Sequence, residues 1–263
     1  MRNLRFEDAV LLGFVQGVTE WLPISSSGHL ALVQMFLGLK PPLFFDVMLH
    51  FGTLLVVLVF FRRNIINFVK KRDFKNDQKG SFLIKVFLGV IPTAIIGVFF
   101  SEIFESFFNN VFVVSVALLF TGFMLFISKY IRRENKELGF FQAFLVGIAQ
   151  GVAIIPGISR SGFTIAVGLL LGVKREEAFK FSFAIFVPAV LGALVKTFIQ
   201  DFEMTGAFGT SWLDILTGTT VATIIGYLSL KLLAKVLAEN HFHLFAYYCW
   251  TIGLLTLSAV FFV

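Results

Sequence analysis

The sequence predicts an all-α integral membrane protein with six transmembrane helices and two re-entrant helical hairpins, arranged as two inverted repeats. Three observations lead to this prediction. Hydrophobic residues make up 57% of the 263 residues and charged residues only 14%, about half the usual share. Several apolar runs reach the ~20 residues that a helix needs to cross a bilayer. Two further apolar stretches are interrupted midway by proline, glycine and serine. We expect one membrane domain over residues 1–263.

The six uninterrupted runs alternate with loops whose charges predict an orientation, because lysine and arginine resist translocation. The runs cover about 43–61, 83–100, 111–128, 179–196, 212–233 and 245–263. The 62–82 loop is rich in Lys and Arg, as is the 129–138 loop, so both are predicted to be cytoplasmic. The 101–110 and 197–211 loops contain acids and no Lys or Arg, which places them outside.

The two interrupted stretches, about 8–38 and 140–172, must each cross the membrane an even number of times to fit this alternation. We therefore interpret them as re-entrant hairpins. Broken helices are tolerated at membrane depth where protein or a watery cavity covers the exposed backbone groups. A pair of such hairpins predicts a buried polar site.

An internal repeat relates the two stretches at a constant offset of 134 residues. Residues 13–39 align with 147–173, and the identities include the pairs Gln16/Gln150, Ser25/Ser159 and Ser27/Ser161. Repeat one then covers about 1–131 and repeat two about 139–263. An odd number of spans in each repeat makes the second copy inverted, and inverted repeats with broken helices place their site at the repeat interface. The two hairpin tips are expected to meet.

The first tip contains an acid, a histidine and three serines. Gln16 and Glu20 are four residues apart and share a helical face; Glu20 can bind a divalent cation or accept a proton, or it is simply an interfacial glutamate. At least one of Ser25, Ser26 and Ser27 is expected to cap the following helix, and which serine is free to act as nucleophile stays open. His29 is a candidate general base or nucleophile, or a packed polar residue.

The second tip contains an arginine among hydroxyls, namely Arg160 with Ser159, Ser161 and Thr164. An arginine beside the start of a helix is suited to binding phosphate. The alternative is that Arg160 caps carbonyl groups or extends to the membrane surface. Asp46 and His50, four residues apart, could add ligands, although an interfacial position explains them nearly as well.

The strings QGVTEWLPISSSGH and PGISRSGFT resemble the undecaprenyl-diphosphate phosphatase family, also called the bacitracin-resistance family. The resemblance implies hydrolysis of a polyprenyl diphosphate to the monophosphate and inorganic phosphate. This reaction recycles the lipid carrier of cell-wall synthesis and confers bacitracin resistance. It also implies a divalent cation, Mg²⁺ or Ca²⁺, and a plasma-membrane location with the site on the outer side.

The resemblance further implies site residues, with Glu20, Ser26, His29 and Arg160 as the principal catalytic positions. Phosphate-binding positions are Ser25, Ser27, Ser159, Arg160, Ser161 and Thr164, and the metal positions are Glu20 and Gln16. The family pattern allows Glu or Gln at position 16; the glutamine found here removes one anionic ligand.

The composition and motifs also bear on other possible functions and partners. A net charge of +6 can indicate nucleic acid, but the basic residues lie in short loops between apolar runs, so lipid headgroups are the expected partners. A single cysteine, Cys249, excludes a disulfide framework. A polyprenyl-phosphate flippase, or a phosphatase that also flips lipid, stays open because transporters share this architecture. Lipid phosphatases of the phosphatidic acid type are rejected, since the chain has no Arg-Pro dipeptide. A homodimer also stays open.

Overall fold

A computed structural model describes residues 4–63, 65–66, 77–131, 135–205 and 210–262. Within these residues the chain is helical and forms no sheet; one isolated β-bridge joins Lys136 and Val173. The helices are α1 Phe6–Trp21, α2 Ser26–Leu37, α3 Leu43–Phe60, α4 Asp77–Phe99, α5 Ser101–Phe107, α6 Val111–Ile127, α7 Phe140–Val152, α8 Arg160–Leu170, α9 Arg175–Thr205, α10 Trp212–Ala238 and α11 Phe245–Phe262.

Six of the described helical segments are long and apolar enough to cross a membrane, as predicted. They are Leu43–Phe60, Gly80–Phe99, Val111–Tyr130, Arg175–Ile199, Trp212–Ala238 and Phe242–Val260. The chain is therefore a multi-pass membrane protein. One difference from the prediction is the short helix α5, which occupies the 101–110 segment expected to be a loop. Several cations on which the predicted orientation rests lie outside the described residues: Lys70, Lys71, Arg72, Lys75, Arg132 and Arg133.

Each interrupted stretch folds as two short helices joined by a turn. Helix α1 has 16 residues and α2 has 12, while α7 has 13 and α8 has 11. All are shorter than the ~20 residues of a full crossing. The first break falls at Pro23, which cannot continue a helix without losing a backbone hydrogen bond. The second falls at Pro156-Gly157, where Gly157 adopts a φ of +101°.

The first helix of each pair packs against a helix from the other half of the chain. Helix α1 lies against α10, and α7 lies against α4. Both contacts are close because glycines face each other: a Cβ on Gly13 would come within 2.5 Å of the Gly218 carbonyl oxygen, and one on Gly147 would overlap Gly89. Small residues of this kind let helix backbones approach within a membrane protein.

An aromatic cluster fills the space beside the two breaks. The Trp21 ring lies 5.1 Å from Phe183 and 5.2 Å from Phe186, both on α9. The Phe179 and Phe183 rings lie 4.6 Å apart. Trp21, Phe183 and Phe186 are nearly completely buried, so this cluster forms an apolar wall against which polar groups at the breaks are held.

Candidate active site at the contact of the two helix breaks

The two helix breaks lie against each other, as the alignment of the two stretches predicts. The Gly157 N–H of the second break donates to Ser25 Oγ of the first at 3.1 Å. The same Ser25 Oγ accepts the Gly28 N–H at 3.2 Å and so caps α2. Ser25 itself has a φ of +70°, a conformation that costs a non-glycine residue of order 1–3 kcal/mol and is typical of functional sites. The contact is tight, since a Cβ on Gly28 would lie 2.9 Å from Gly157 Cα.

Glu20, on the last turn of α1, is the centre of the polar cluster at this contact. Its Oε1 accepts a hydrogen bond from Arg160 Nη2 at 2.7 Å. Its Oε2 accepts from Ser26 Oγ at 2.5 Å and from Gln16 Nε2 at 3.1 Å. The Glu20 side chain is only 4% exposed. A buried carboxylate needs such partners, because an unpaired charge is costly in a low-dielectric interior.

Arg160, the first residue of α8, is held on an aromatic surface. The centre of its guanidinium lies 3.8 Å from the Phe186 ring centroid and 5.4 Å from that of Trp21. Its Nη2 is used by Glu20, but Nη1 is buried and has no hydrogen-bond partner. Burying a guanidinium N–H without a partner costs free energy. An anionic ligand that reaches Nη1 would remove that cost, so this atom is a ready donor to a phosphate oxygen.

His50, on α3, is a further neighbour of Glu20. Its Nε2 lies 3.6 Å from Glu20 Oε2, and its Nδ1 lies 2.9 Å from the Asp46 carbonyl oxygen one turn earlier. Asp46 does not join the cluster; its carboxylate accepts both hydrogen bonds of Gln34 Nε2, at 3.0 and 3.2 Å. Of the two candidate ligands Asp46 and His50, only the histidine therefore faces Glu20.

His29 occupies a different place from the one predicted for a base acting on Ser26. Its Nδ1 lies 2.7 Å from the Ser25 carbonyl oxygen, and its Nε2 lies 2.9 Å from the Tyr248 hydroxyl. The imidazole also stacks on the Tyr248 ring. Both ring nitrogens are thus used, and among the described residues no hydrogen bond joins His29 to the side chain of Glu20 or Ser26. The role of His29 stays a prediction.

The other hydroxyls predicted to bind phosphate join parts of the protein to each other. Ser159 Oγ caps α8 by accepting the Gly162 N–H at 3.1 Å. Ser161 Oγ donates to the Trp21 carbonyl oxygen at 3.1 Å, which ties the two breaks together. Thr164 Oγ1 contacts Ser182 Oγ at 2.6 Å. All three are buried, whereas Ser27 is partly exposed and contacts Ser25 Oγ at 3.3 Å. In this conformation the hydroxyls of Ser159, Ser161 and Thr164 are therefore engaged in contacts within the protein.

The donor set around Glu20 is chemically suited to a divalent cation. Within the described ranges no three His, Cys, Asp or Glu side chains form a metal cluster. The cluster nevertheless contains a carboxylate and an imidazole nitrogen, and the fully buried Gln16 has an Oε1 with no partner. Carboxylate, amide and imidazole groups are ordinary ligands of divalent ions, so the residues fit such an ion.

Three contacts of the site have little or no signal in the sequence. Phe186 and Tyr248 belong to apolar runs in which aromatic residues are common, and nothing in their spacing singles them out. The sequence makes His50 a candidate ligand, but its proximity to Glu20 depends on the packing of α3 beside α1. These side chains lie on α9, α11 and α3. Only the tertiary structure determines where those helices lie relative to α1.

Comparison with known proteins shows the family to which the chain is similar. Residues 9–255 match the family model described as bacitracin resistance protein BacA. An undecaprenyl-diphosphatase of Halothermothrix orenii is 43% identical over 251 residues, covering 94% of this chain and 95% of that protein. Proteins with the same name from Methanosphaera stadtmanae and Desulforapulum autotrophicum are 40% and 39% identical, each over 271 residues and at least 95% of both chains.

Proposed function

Because this chain belongs to the bacitracin resistance protein BacA family, we propose that it is an undecaprenyl-diphosphatase. It hydrolyses undecaprenyl diphosphate to undecaprenyl phosphate and inorganic phosphate, which recycles a lipid carrier and confers bacitracin resistance. The observation that carries the proposal is the buried ion pair between Glu20 and Arg160, which links the two helix breaks at 2.7 Å. The pair leaves one guanidinium nitrogen, Nη1, without a partner.

Arg160 holds the phosphate in the proposed reaction. Its Nη1 donates to an oxygen of the terminal phosphoryl group, while Phe186 and Trp21 fix the plane of the guanidinium. Glu20 in turn fixes Nη2, so the side chain does not have to reorganise when the substrate binds. Donors placed in advance where charge develops are an effective source of catalysis.

Ser26 supplies the oxygen that reacts, or it positions a water molecule that does. As nucleophile, its Oγ forms a bond to phosphorus, and the bond from phosphorus to the bridging oxygen breaks, releasing undecaprenyl phosphate. The serine proton passes to Glu20 Oε2, which already accepts it at 2.5 Å. Water then attacks the phosphorus of the phosphoserine, the bond from phosphorus to Ser26 Oγ breaks, and Glu20 returns its proton to Ser26 as inorganic phosphate leaves. His29 would have to leave Tyr248 to take part, so Glu20 is the better placed proton acceptor in this conformation.

A divalent cation fits beside Glu20, with Gln16 as the second tentative ligand. When bound, such an ion supplies positive charge to the phosphoryl oxygens. The unpartnered Gln16 Oε1 and the charged Glu20 support this assignment. Mg²⁺ or Ca²⁺ is the ion implied by the family resemblance.

The inverted arrangement is part of the proposal. It is supported by the exchange of helix contacts between halves: α1 of the first half packs on α10 of the second, and α7 of the second packs on α4 of the first. Residues 134 apart, Gly13 and Gly147, make these two contacts. Helices α1, α2, α7 and α8 are too short to cross a bilayer, which supports re-entrant hairpins.

We place the protein in the plasma membrane with the site opening to the outer side. Lys129, Arg175 and His243 line one cavity of about 470 Å³, whereas Glu102 and Glu105 lie on α5, beyond the other end of α6. Such a charge difference supports a cytoplasmic basic end. Labelling of single cysteines introduced at Glu102 and at Lys129 tests the orientation, and reaction of the Glu102 position from the cytoplasmic side would reverse it. A homodimer stays a prediction that light scattering in detergent can test.

Phosphate release from undecaprenyl diphosphate by the purified chain in detergent tests the proposed function. The unaltered chain should turn over, and E20Q and R160A should each lower the rate by about 10³-fold or more, in line with the loss of a preorganised charged group. T19V is the matched control: Thr19 is buried beside Glu20, but its hydroxyl bonds only to the Val15 carbonyl oxygen within α1. No phosphate release by the unaltered chain with any divalent ion would favour a flippase instead.

A further inference from the structure

His50 faces Glu20 at a distance that is too long for a hydrogen bond. Its Nε2 lies 3.6 Å from Glu20 Oε2, whereas N–H···O bonds extend to about 3.2 Å. Two ligands of one metal ion, each about 2.0–2.2 Å from it and at a tetrahedral angle, are about 3.4 Å apart. The separation is therefore close to that of two groups that share an ion.

The orientation of the imidazole supports the same interpretation. Nδ1 lies 2.9 Å from the Asp46 carbonyl oxygen, a group that can only accept, so Nδ1 carries the proton and donates it. A protonated ring would form an ion pair with Glu20 at this distance, whereas in the neutral ring Nε2 presents a lone pair to the carboxylate, and a cation bound between the two then accounts for the contact. Histidines that bind metals commonly donate their other ring N–H to a backbone carbonyl in this way.

The comparison with His29 separates this arrangement from an ordinary packed histidine. Both rings contact the carbonyl oxygen four residues earlier through Nδ1, so both have the same tautomer. The Nε2 of His29 accepts a hydrogen bond from the Tyr248 hydroxyl at 2.9 Å. By contrast, His50 Nε2 forms no hydrogen bond among the described residues, and the Glu20 carboxylate lies 3.6 Å from it.

Gln16 provides the independent second observation. Its side chain is fully buried, its Nε2 lies 3.1 Å from Glu20 Oε2, and its Oε1 has no partner. The unpartnered oxygen belongs to the same carboxamide whose nitrogen contacts Glu20, so a free acceptor lies beside the carboxylate. Binding of an ion by this oxygen together with Glu20 would replace the Nε2 hydrogen bond through a half-turn of the carboxamide.

We propose that His50 is a ligand of the divalent cation that Glu20 binds, and that the resulting set of one nitrogen and two oxygens selects Mn²⁺, Co²⁺ or Zn²⁺ over Ca²⁺. Calcium takes oxygen ligands, while imidazole suits transition metals. His50 is then the third ligand beside Glu20 and Gln16. The inference deepens the proposed function and rests on its cation, but it departs from the Mg²⁺ or Ca²⁺ that the family resemblance implies.

Mn²⁺ is the probe for the test, bound to the full-length chain in detergent without substrate. Pulsed electron paramagnetic resonance of the complex should show coupling to a directly bound imidazole nitrogen. H50Q should lose this coupling and raise the Kd for Mn²⁺ by tenfold or more, while the Kd for Ca²⁺ changes much less. H50E, which makes the set all oxygen, should reverse the preference toward Ca²⁺. H241Q is the control and should retain the nitrogen coupling, because His241 lies by Glu239.

Nitrogen coupling that persists in H50Q would overturn the proposal, as would its absence in a Mn²⁺ complex of the unaltered chain or a failure of that chain to bind Mn²⁺. If H50Q does not fold, the triple variant H29Q/H241Q/H243Q keeps His50 as the sole histidine of the chain and should retain the coupling; its loss there sinks the assignment. The proposed function can fail separately. No phosphate release despite nitrogen coupling contradicts the phosphatase, whereas phosphate release without the coupling contradicts only the role of His50.

Discussion

The first hairpin, α1–α2, and the second, α7–α8, share a framework but differ in chemistry. Ser25 and Ser159, 134 residues apart, each cap the second helix of their pair. Several positions before and after these caps differ between the two stretches. Glu20 corresponds to Ile154, Ser26 to Arg160 and His29 to Phe163. The acid and the arginine therefore come from different copies, and each copy alone lacks half of the ion pair. A site of this kind exists only when both hairpins meet.

The two buried glutamines illustrate how one residue type serves two purposes. Gln16 donates to the Glu20 carboxylate. Its counterpart Gln150 donates to the Ile185 carbonyl oxygen at 3.1 Å and to Thr93 Oγ1 at 3.3 Å. The first glutamine belongs to the polar site, while the second joins helices α7, α9 and α4.

The largest effect is expected from removing the charges of Glu20 and Arg160, one of which comes from each hairpin. E20Q and R160Q should each lower the free energy of unfolding by about 3–5 kcal/mol, because each leaves a buried charge without its partner. The double variant should be less destabilised than the sum of the two, yet inactive. Unfolding in detergent and phosphate release measure this cycle. Additive losses would show that the charges are not coupled across the hairpins.

The framework contacts should respond alike in both halves. G13A and G147A should each destabilise the protein by about 2 kcal/mol, since the new methyl group meets the backbone of Gly218 or Gly89. G192A is the matched control: a Cβ at Gly192, inside α9, meets nothing within 4 Å, so its thermal stability should be unchanged or slightly higher. A large difference in stability between G13A and G147A would show that the two contacts are not equivalent.

The glutamines should respond differently from each other. Q16L should lower the rate of phosphate release about tenfold with little change in stability, because it removes a group from the Glu20 cluster. Q150L should instead lower stability by about 1–3 kcal/mol, because it removes the buried hydrogen bonds from Gln150 to the Ile185 carbonyl oxygen and to Thr93 Oγ1. The rate of phosphate release and the midpoint of unfolding, measured for both variants, test this difference. Equal effects of the two on the rate would contradict the division of roles.

The smallest effect on stability and activity is expected from changing the aromatic contacts that the hairpins make with α6 and α11. His29 stacks on Tyr248 with ring centroids 5.7 Å apart, and the corresponding Phe163 packs on Phe120 at 5.4 Å. Y248F keeps the ring contact and removes one hydrogen bond, so it should cost about 1 kcal/mol of stability and leave phosphate release within about threefold. A loss of activity approaching that of E20Q would show that Tyr248 and His29 act in the reaction.

Much of the architecture could be predicted because it follows from local composition. Lengths of apolar runs determine where helices can cross a bilayer, and Pro23 and Pro156 interrupt backbone hydrogen bonding wherever they occur. The duplicated motif predicted that the breaks would meet, and the four-residue spacing of Gln16 and Glu20 predicted their shared face. These inferences depend on residues close in sequence, or on symmetry between two copies.

The arrangement of the site required the folded chain. Two candidate histidines, His29 and His50, have the same local hydrogen bond to the residue four positions earlier, and their local sequence does not predict which one lies beside Glu20. Packing of α3 beside α1 brings His50 close to Glu20. His29, on α2, instead contacts Tyr248 on α11. The sequence by itself determined the membrane class, the spans and the duplicated polar motifs, since these follow from hydrophobicity and backbone chemistry. The tertiary structure decided which side chains meet, because contacts between helices far apart in sequence depend on how whole helix faces fit together.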